Sequence, residues 1–223
     1  MKPRTAAALA ALGTLVGAAA SPLGAQRSAP VAVLGASFAL AQYREQAASL
    51  RFAGGGATAT LDLAWRRLTL GVAGGRLTLD PADGSAGAEP FDLAQVDVRV
   101  GVRVARSVTA EVGFLNRSAS PTTAAQEVGA VRVGARATYP LATATDLTVS
   151  LAYLGAARFS GGGSAPFGAE LGLAVSYGLG AGRVRATAAY ELQRLDRRTR
   201  VAGETLEVPI ESSVARVGMA IGL

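Results

Sequence analysis

The sequence lacks two residue types on which most enzyme and metal sites depend, because its 223 residues include no cysteine and no histidine. The first absence excludes a disulfide framework, a thiol nucleophile and a thiolate metal site. The second removes the commonest general base and metal ligand in proteins. A metal site would have to be built from carboxylates alone, and no D-x-D-x-D-G loop is present. We therefore expect no metal, no cofactor and no enzymatic activity.

Charged residues are few, at 17% of the chain, while half of the residues are apolar. This balance excludes a disordered chain. The net charge is +6, but Lys2 is the only lysine, and the arginines are scattered through apolar segments instead of lying on one face. A nucleic-acid partner is therefore not expected. The one local cluster is formed by Arg194, Arg197, Arg198 and Arg200.

The first residues predict a secretory signal peptide. Two positive charges precede an uncharged apolar stretch at residues 6–20, and small residues follow it. Cleavage is predicted after Ala20 or Ala25, so residues 1–25 form the signal peptide and 26–223 the exported domain. The alternative is an N-terminal membrane anchor, for which the apolar stretch is short.

No later segment reaches the roughly 18 uninterrupted apolar residues of a spanning helix. Apolar side chains instead alternate with small or polar ones, as at residues 167–179, where every second residue is apolar. A period of two residues is typical of a β-strand with two different faces. Such runs predict ten strands, at residues 31–43, 57–66, 68–79, 91–104, 107–117, 127–139, 145–159, 165–179, 183–195 and 209–223.

The connections between these strands alternate in length. Short turns are expected at 66–67, 105–106, 140–144 and 180–181, and longer connections at 44–56, 80–90, 118–126, 160–164 and 196–208. An even number of strands joined alternately by short turns and long loops is typical of a transmembrane β-barrel. In such a barrel the charged face lines the lumen and the apolar face contacts lipid, which is the reverse of a soluble barrel. The sequence therefore predicts an all-β fold, an antiparallel up-and-down transmembrane β-barrel of about ten strands, with eight as the alternative.

Aromatic residues are sparse, at 5% of the chain, but they fall near the two ends of the predicted outward face. Membrane barrels carry aromatic girdles at both interfaces. A chance placement in a sheet rich in alanine and valine is the alternative. The predicted girdles consist of Trp65, Tyr139 and Tyr177 near the short turns, and of Phe91, Phe114, Phe159 and Phe167 near the long loops.

At its end, the chain carries a polar residue, a glycine two residues later, and hydrophobic residues at the third-from-last and last positions. In this it resembles the small outer-membrane β-barrel proteins of Gram-negative bacteria, as a general class without one specific family. The resemblance implies that Arg216, Gly218, Ile221 and Leu223 form an assembly signal read by the barrel-assembly machinery. The final Leu223 departs from the class, which usually ends in an aromatic residue.

The same resemblance implies an outer-membrane location. The long loops would face the outside of the cell, and the short turns and both termini the periplasm. Outer-membrane lipid, lipopolysaccharide and the assembly machinery are the expected partners of a monomeric barrel. The arginine cluster at residues 194–200 could bind phosphates of lipopolysaccharide, although a solvated charged loop is the interpretation we favour.

Charged side chains of both signs are predicted to point into the lumen, where unpaired charges would be costly. We expect them to pair and plug the barrel, and a solvated channel is the alternative. A turn centred on Arg106 sets Glu111 opposite Gly101 and diagonal to Arg99 and Arg103. The predicted network consists of Asp62, Asp97, Arg99, Arg103, Glu111, Arg132, Arg136, Asp146, Glu170, Arg185, Glu191 and Arg216.

One pair of these residues permits a catalytic interpretation. A two-residue turn at 180–181 would place Glu170 opposite Glu191, and two such carboxylates could share a proton. We favour a structural network in which Arg158 lies diagonal to Glu170, and Arg216 diagonal to Glu191. By resemblance, the proteases, deacylases, palmitoyltransferases and phospholipases of this membrane depend on a histidine, which this chain lacks.

The function most consistent with these features is that of an integral barrel with a structural or surface-interaction role and a plugged lumen. A small passive diffusion pore is the main alternative. A soluble periplasmic β-sandwich or barrel is a further alternative, in which the inner and outer faces would be exchanged.

Overall fold

A computed structural model describes residues 30–82, 87–121, 123–180 and 183–223, so the predicted signal peptide at 1–25 lies outside the described residues. A short 3-10 helix lies at Ala124–Gln126, and no helix in the described ranges is long and apolar enough to cross a membrane. The strands are β1 (Val31–Glu45), β2 (Leu50–Trp65), β3 (Leu68–Pro81), β4 (Phe91–Arg103), β5 (Val108–Ser120), β6 (Val128–Ala142), β7 (Thr145–Phe159), β8 (Ser164–Leu179), β9 (Val184–Val201) and β10 (Glu204–Gly222).

These strands form one closed antiparallel barrel. Each strand pairs with its neighbours in sequence, and β1 closes the barrel by pairing with β10. Following paired residues once around the wall from Arg44 leads back to Ala32, a stagger of twelve residues along β1. Closure with such a stagger tilts strands by about 35–45° to the barrel axis. The predicted up-and-down barrel of ten strands is confirmed.

The two ends of the barrel differ in their connections. The turn end carries the β2–β3, β4–β5, β6–β7 and β8–β9 connections, and the loop end carries the other five. At the turn end, Trp65 pairs with Leu68 across the predicted turn at 66–67. Four exposed arginines of neighbouring turns lie there, namely Arg66, Arg67, Arg103 and Arg106. We call the half of the barrel next to the turn end the turn half, and the half next to the loop end the loop half.

Two of the long loops predicted at the loop end are mostly strand. The connection predicted at 44–56 is only 46–49, and the one predicted at 196–208 is reduced to Ala202 and Gly203. Both of these residues have positive φ, at 51° and 89°, as a type I′ hairpin turn requires. The sequence pattern missed these extensions because it expected apolar outward side chains, whereas those of Arg44, Arg198 and Glu207 are charged.

The outer wall carries an apolar band that ends before the loop end. In β9 the outward side chains of Tyr190 and Leu192 belong to the band, and those of Arg194, Asp196 and Arg198 follow beyond it. The outward residues of β1, β3 and β10 make the same change and reach Arg44, Asp80 and Glu211. The large apolar side chains exposed on this band include Leu34, Phe38, Leu70, Val98, Val100, Val112, Val133, Leu151, Leu173, Val175, Val217 and Met219.

The inner wall changes in the opposite sense, so that a hydrophobic core fills the loop half. Tyr43, Phe52 and Phe91 pack edge to face in its centre, with ring centroids 4.8 to 6.2 Å apart. Such pairs add to the stabilisation that burial of apolar surface provides. The core around them includes Ala39, Leu77, Leu79, Leu93, Leu115, Val128, Leu154, Ala157, Leu195 and Ile210.

Two aromatic residues predicted for the outer girdle belong instead to this core. Phe91 is 2% exposed and Phe159 is 6% exposed, so their predicted outward orientation is wrong. Phe91 has the parity of the inward residues of β4. In β7 a bulge between Gly155 and Arg158 inserts one residue and reverses the parity of Phe159. The other predicted girdle residues, Trp65, Phe114, Tyr139, Phe167 and Tyr177, are exposed on the outer wall.

Candidate functional site: the lumen

The turn half of the lumen contains the charged side chains expected from the sequence. Eleven of the twelve predicted residues engage in ion pairs within it. The twelfth, Arg103, is exposed at the turn end, where β4 finishes. Alternation places these groups inside because each shares the inward parity of its strand.

Arg132 on β6 is the centre of the network and is 2% exposed. Its Nη2 lies 2.5 Å from an oxygen of Glu170, and its Nη1 donates to Glu111 at 3.3 Å. Asp97 lies 3.7 Å from its Nε. One guanidinium thus faces three carboxylates from three other strands, which compensates charges that would otherwise be buried without partners.

Two further arginines continue the network towards the turn end. Arg136 lies 3.2 Å from Glu111 and 3.7 Å from Asp62. Arg99 lies 3.4 Å from Asp97. Gly71 leaves space for the side chains of Asp62 and Arg99, because a Cβ atom there would lie 3.1 Å from Asp62 Oδ1 and 3.3 Å from Arg99 Nε.

Two ion pairs on β7, β9 and β10 complete the polar half. Arg216 donates to Glu191 at 3.0 Å, as the predicted diagonal contact requires. Arg185 donates to Asp146 at 2.5 Å and also to the hydroxyl of Ser176. The four side chains are about a fifth to a third exposed, so these pairs are more hydrated than the contacts of Arg132.

The register of β8 and β9 differs from the predicted one. Leu179 pairs with Val184, so the connection spans 180–183, and Glu170 lies opposite Gln193 instead of Glu191. The predicted direct opposition of Glu170 and Glu191 is therefore wrong, because the register is shifted by two residues. Arg158 is also not part of the network, since the bulge in β7 leaves it exposed on the outer wall. Arg132 takes its place beside Glu170.

A buried cation was missed by sequence reasoning. Arg117 is 4% exposed and donates to Gln95 at 2.9 Å, to Gln193, and to Ser212 at 3.4 Å. Gln193 in turn donates to Glu170 at 3.3 Å, which connects this group with Arg132. The signal was available, because Arg117 has the inward parity of Glu111 on β5.

A cavity of about 140 Å³ separates the polar network from the apolar core. Its wall includes Asp97, Arg99 and Arg117 on the polar side and Leu77 and Leu93 on the apolar side. The space is large enough for several water molecules. Tyr43 of the apolar core also lines it.

Arg197 lies at the loop end of the lumen and links several connections there. It is 5% exposed, lies 5.0 Å from the ring centroid of Phe159 and donates to Gln126, the last residue of the 3-10 helix. It also donates to the carbonyl oxygens of Gly161 and Gly162 at 3.0 and 2.7 Å. One side chain therefore joins β9 to the β5–β6 and β7–β8 connections.

The predicted arginine cluster is divided by the barrel wall. Arg194 points outward and donates to Asp196 at 2.8 Å and to Glu211 at 3.2 Å. Arg198 lies 2.9 Å from Glu207 on the outer surface, and Arg200 is exposed. Because Arg197 points inward, the four residues do not share one surface.

The residues of the predicted assembly signal lie on both faces of β10. Arg216 and Gly218 face the lumen, whereas Ile221 is 41% exposed on the outer wall. A Cβ atom at Gly218 would lie 2.1 Å from the carbonyl oxygen of Ala36, so β1 and β10 can approach closely there. Leu223 follows the strand and is 74% exposed.

The chemistry of the lumen is that of paired charges. Among the described residues no group of three carboxylates is arranged to hold a metal ion. The carboxylates of Glu111, Glu170 and Glu191 each contact a guanidinium group. The whole network of ion pairs brings together oppositely charged side chains from eight strands.

No protein-family model matches the sequence, and no curated protein matches it either. Three solved structures are similar in fold. The outer membrane protease OmpT from Escherichia coli has a TM-score of 0.48 at 9% identity, covering 91% of this chain and 99% of that one. An outer membrane channel from Pseudomonas putida F1 has a TM-score of 0.45 at 9% identity with the same coverage.

The third is the translocator domain of the autotransporter NalP from Neisseria meningitidis, with a TM-score of 0.38 at 14% identity. It covers 87% of this chain and 88% of that domain. At these identities and TM-scores, the likeness carries no argument about the activity or partners of this chain.

Proposed function

We propose that the exported chain is an outer-membrane β-barrel with a closed lumen and a structural or surface-interaction role. The observation that carries the proposal is the inversion of the inner wall, which fills the loop half with a buried apolar core. An open passage would need a continuous polar lining. Here the path ends at Phe52, Leu79, Phe91 and Leu115, each at most 2% exposed.

The outer wall supports the membrane location. In β4, the outward side chains from Ala94 to Val102 are all apolar, and Asp92 follows them. Strands of this tilt cover the roughly 25 Å of a lipid-facing band with nine to eleven residues. In water this band would be a continuous apolar surface far larger than monomeric soluble proteins expose.

The lumen is sealed in two different ways. In the turn half, Arg132 and its carboxylates cross the interior, and an ion passing through would have to break charge-assisted hydrogen bonds. In the loop half, the apolar core excludes water and ions because it offers them no hydrogen-bond partners. The expected partners are outer-membrane lipid, lipopolysaccharide and the barrel-assembly machinery, which would read Arg216, Gly218, Ile221 and Leu223.

The location is tested by fractionation and by gel mobility. The protein should be found in the outer-membrane fraction, and a boiled sample should migrate differently from an unboiled one on a cold SDS gel. Recovery from the soluble periplasmic fraction, with identical mobility of both samples, would contradict the membrane location.

The closed lumen is tested in planar bilayers. The wild-type barrel should give no steady open steps. A variant with Leu115→Ala, Leu154→Ala and Leu195→Ala, which empties the loop-half core, should give measurable openings or leak. The matched control is Leu151→Ala, Leu173→Ala and Leu192→Ala, because these leucines face outward on β7, β8 and β9.

Steady open steps from the wild-type protein would establish the diffusion pore instead. If the core variant is as silent as the control, while both retain the gel mobility of a folded barrel, the apolar core is not the seal.

A further inference from the structure

We propose that a phosphorylated glycolipid of the outer leaflet binds in a groove on the outer wall of β1, β9 and β10. The groove begins in the apolar band and ends at the polar residues beyond it. This inference rests on the proposed function, since the lipid is available only to a barrel that spans the outer membrane with its loop end outside.

The groove consists of two cavities that share a wall. Each measures about 550 Å³, and Gln42, Tyr190 and Ser213 line both of them. The first cavity extends towards the loop end to Arg44 and Arg194. The second extends into the apolar band, between Leu40 and Tyr190. One continuous recess therefore has a charged end and an apolar end.

The charged end is suited to a phosphate group. Arg44 lies opposite Glu211 in the sheet, and Glu211 lies opposite Arg194 on its other side. Glu211 already accepts hydrogen bonds from Arg194 and Gln46. Arg44 is exposed and has no ion-pair partner within the described ranges. A phosphate there would accept hydrogen bonds from the free guanidinium of Arg44. It would also accept one from Arg194, which it would share with Glu211, since the planar guanidinium group is suited to phosphate oxygens.

The middle of the groove is suited to a sugar. Gln42 and Ser213 pair across β1 and β10 on the outward face, and within the described part of the chain neither side chain makes a hydrogen bond. An amide and a hydroxyl at the edge of an apolar band can donate to and accept from sugar hydroxyls. They offer no comparable advantage to an acyl chain.

The apolar end is suited to an acyl chain. Its floor is formed by the small side chains of Ala53 and Ala215, and its walls by Leu40 and Tyr190. Small residues lower the floor relative to these walls by the length of a side chain. A straight hydrocarbon chain fills such a channel with favourable dispersion contacts.

The experiment measures lipid retention by native mass spectrometry on the detergent-solubilised barrel. The probes are bisphosphorylated lipid A, dephosphorylated lipid A and phosphatidylglycerol, each added alone. The variants are Arg44→Gln with Arg194→Gln for the charged end, and Ala215→Phe for the apolar end. Ala53→Phe fills the same channel from the opposite side. Arg158→Gln is the matched control, because Arg158 is an exposed outward arginine at the loop end of β7, away from the groove.

Wild-type protein and Arg158→Gln should retain bisphosphorylated lipid A equally. The double arginine variant should retain about tenfold less, as expected when charge-assisted contacts are lost. Ala215→Phe and Ala53→Phe should lower retention of both lipid A forms. Dephosphorylated lipid A and phosphatidylglycerol should bind more weakly to the wild-type barrel than bisphosphorylated lipid A does.

Equal retention by the double arginine variant and Arg158→Gln would overturn the site. Equal binding of phosphatidylglycerol and bisphosphorylated lipid A would overturn the glycolipid assignment. Each variant is first checked for heat-modifiable mobility. If the wild-type protein lacks that mobility and is soluble, the proposed function fails. If the wild-type barrel has that mobility and the double variant loses no lipid, only the lipid site fails.

Discussion

The turn half and the loop half of the barrel are made by the same ten strands, yet their inner and outer walls have opposite polarity. In the turn half, Arg132 and its carboxylates lie inside and apolar side chains lie outside. In the loop half, Phe52 and Leu79 lie inside, and Arg194 and Arg198 lie outside. The proposed membrane location would account for the difference, because lipid stabilises the first arrangement and water the second.

The comparison separates two ways of filling the interior of a small barrel. Charges on different strands attract at specific distances, so the turn half depends on matched partners. Apolar side chains need only fill the space, so the loop half depends on volume and shape. Substitutions that remove one group should therefore have different consequences in the two halves.

The largest effect is expected from Arg132→Met. Asp97, Glu111 and Glu170 would be left in the interior without their shared cation, and breaking a buried ion pair on one side costs about 3–5 kcal/mol. We expect this loss in the free energy of unfolding, measured by urea titration of the barrel refolded in lipid vesicles. Arg158→Met is the control and should change nothing, and a triple variant that adds Glu111→Gln and Glu170→Gln should recover part of the loss. An unchanged midpoint for Arg132→Met would contradict the central role of Arg132.

A somewhat smaller effect is expected from Leu154→Ala in the apolar core. Leu154 has no exposed surface, and truncation of such a leucine costs about 2–5 kcal/mol because a cavity remains. The control on the same strand is Leu151→Ala. Leu151 is 62% exposed on the outer wall, where lipid of the vesicle can fill the space that the truncation leaves. Equal losses for the two variants, measured in the same urea titrations, would mean that the loop half is not a packed core.

A local effect is expected from Arg197→Met. Hydrogen bonds to Gln126, Gly161 and Gly162 would be lost, and hydrogen bonds to a charged group contribute about 1.5–3 kcal/mol. Amide hydrogen exchange should accelerate at residues 160–163 and leave the turn half unchanged. Acceleration that is uniform along the chain would indicate a global loss of stability instead of an opened loop end.

The smallest effect is expected for the pair of Arg216 and Glu191. Both side chains are about a fifth exposed, and partly hydrated pairs contribute about 0.5–1 kcal/mol. A double-mutant cycle of Arg216→Met and Glu191→Gln measures this coupling without the other contributions. A coupling as large as that of Arg132 with Glu170 would mean that both pairs are equally desolvated.

The strand positions and the network of the turn half could be predicted because one rule applies there. Alternation with a period of two sets the face of each residue, as for Glu111 opposite Gly101. The contacts of Glu170 required more, since they depend on the length of the 180–183 connection. A difference of two residues in that turn moves every opposed pair on β8 and β9.

The loop half could not be predicted with the same rule. The rule expects polar side chains inside the lumen along the whole strand, so it interprets the outward Arg194 and Arg198 as loop residues. For the same reason it misses the inward orientation of Leu195 and Arg197. Val208 and Ile210 are likewise inward apolar residues on β10. The extended strands could therefore have been predicted by a rule that places apolar residues inside the loop half. The bulge that turns Phe159 inward has only a weak signal, because Gly155 is of the residue type that often marks a bulge but is one of many glycines in these strands.

In the proposed membrane location, the polar outward residues of the loop end and the exposed arginines of the turn end would together fix the depth of the barrel. A displacement towards the side of the turn end would draw Arg44 and Arg194 into hydrocarbon, and the opposite displacement would draw in Arg67 and Arg103. An arginine at the bilayer midplane costs about 2–4 kcal/mol, and less near the interfaces. The charged residues at both ends would therefore fix the height at which the connections of the loop end stand above the lipid surface.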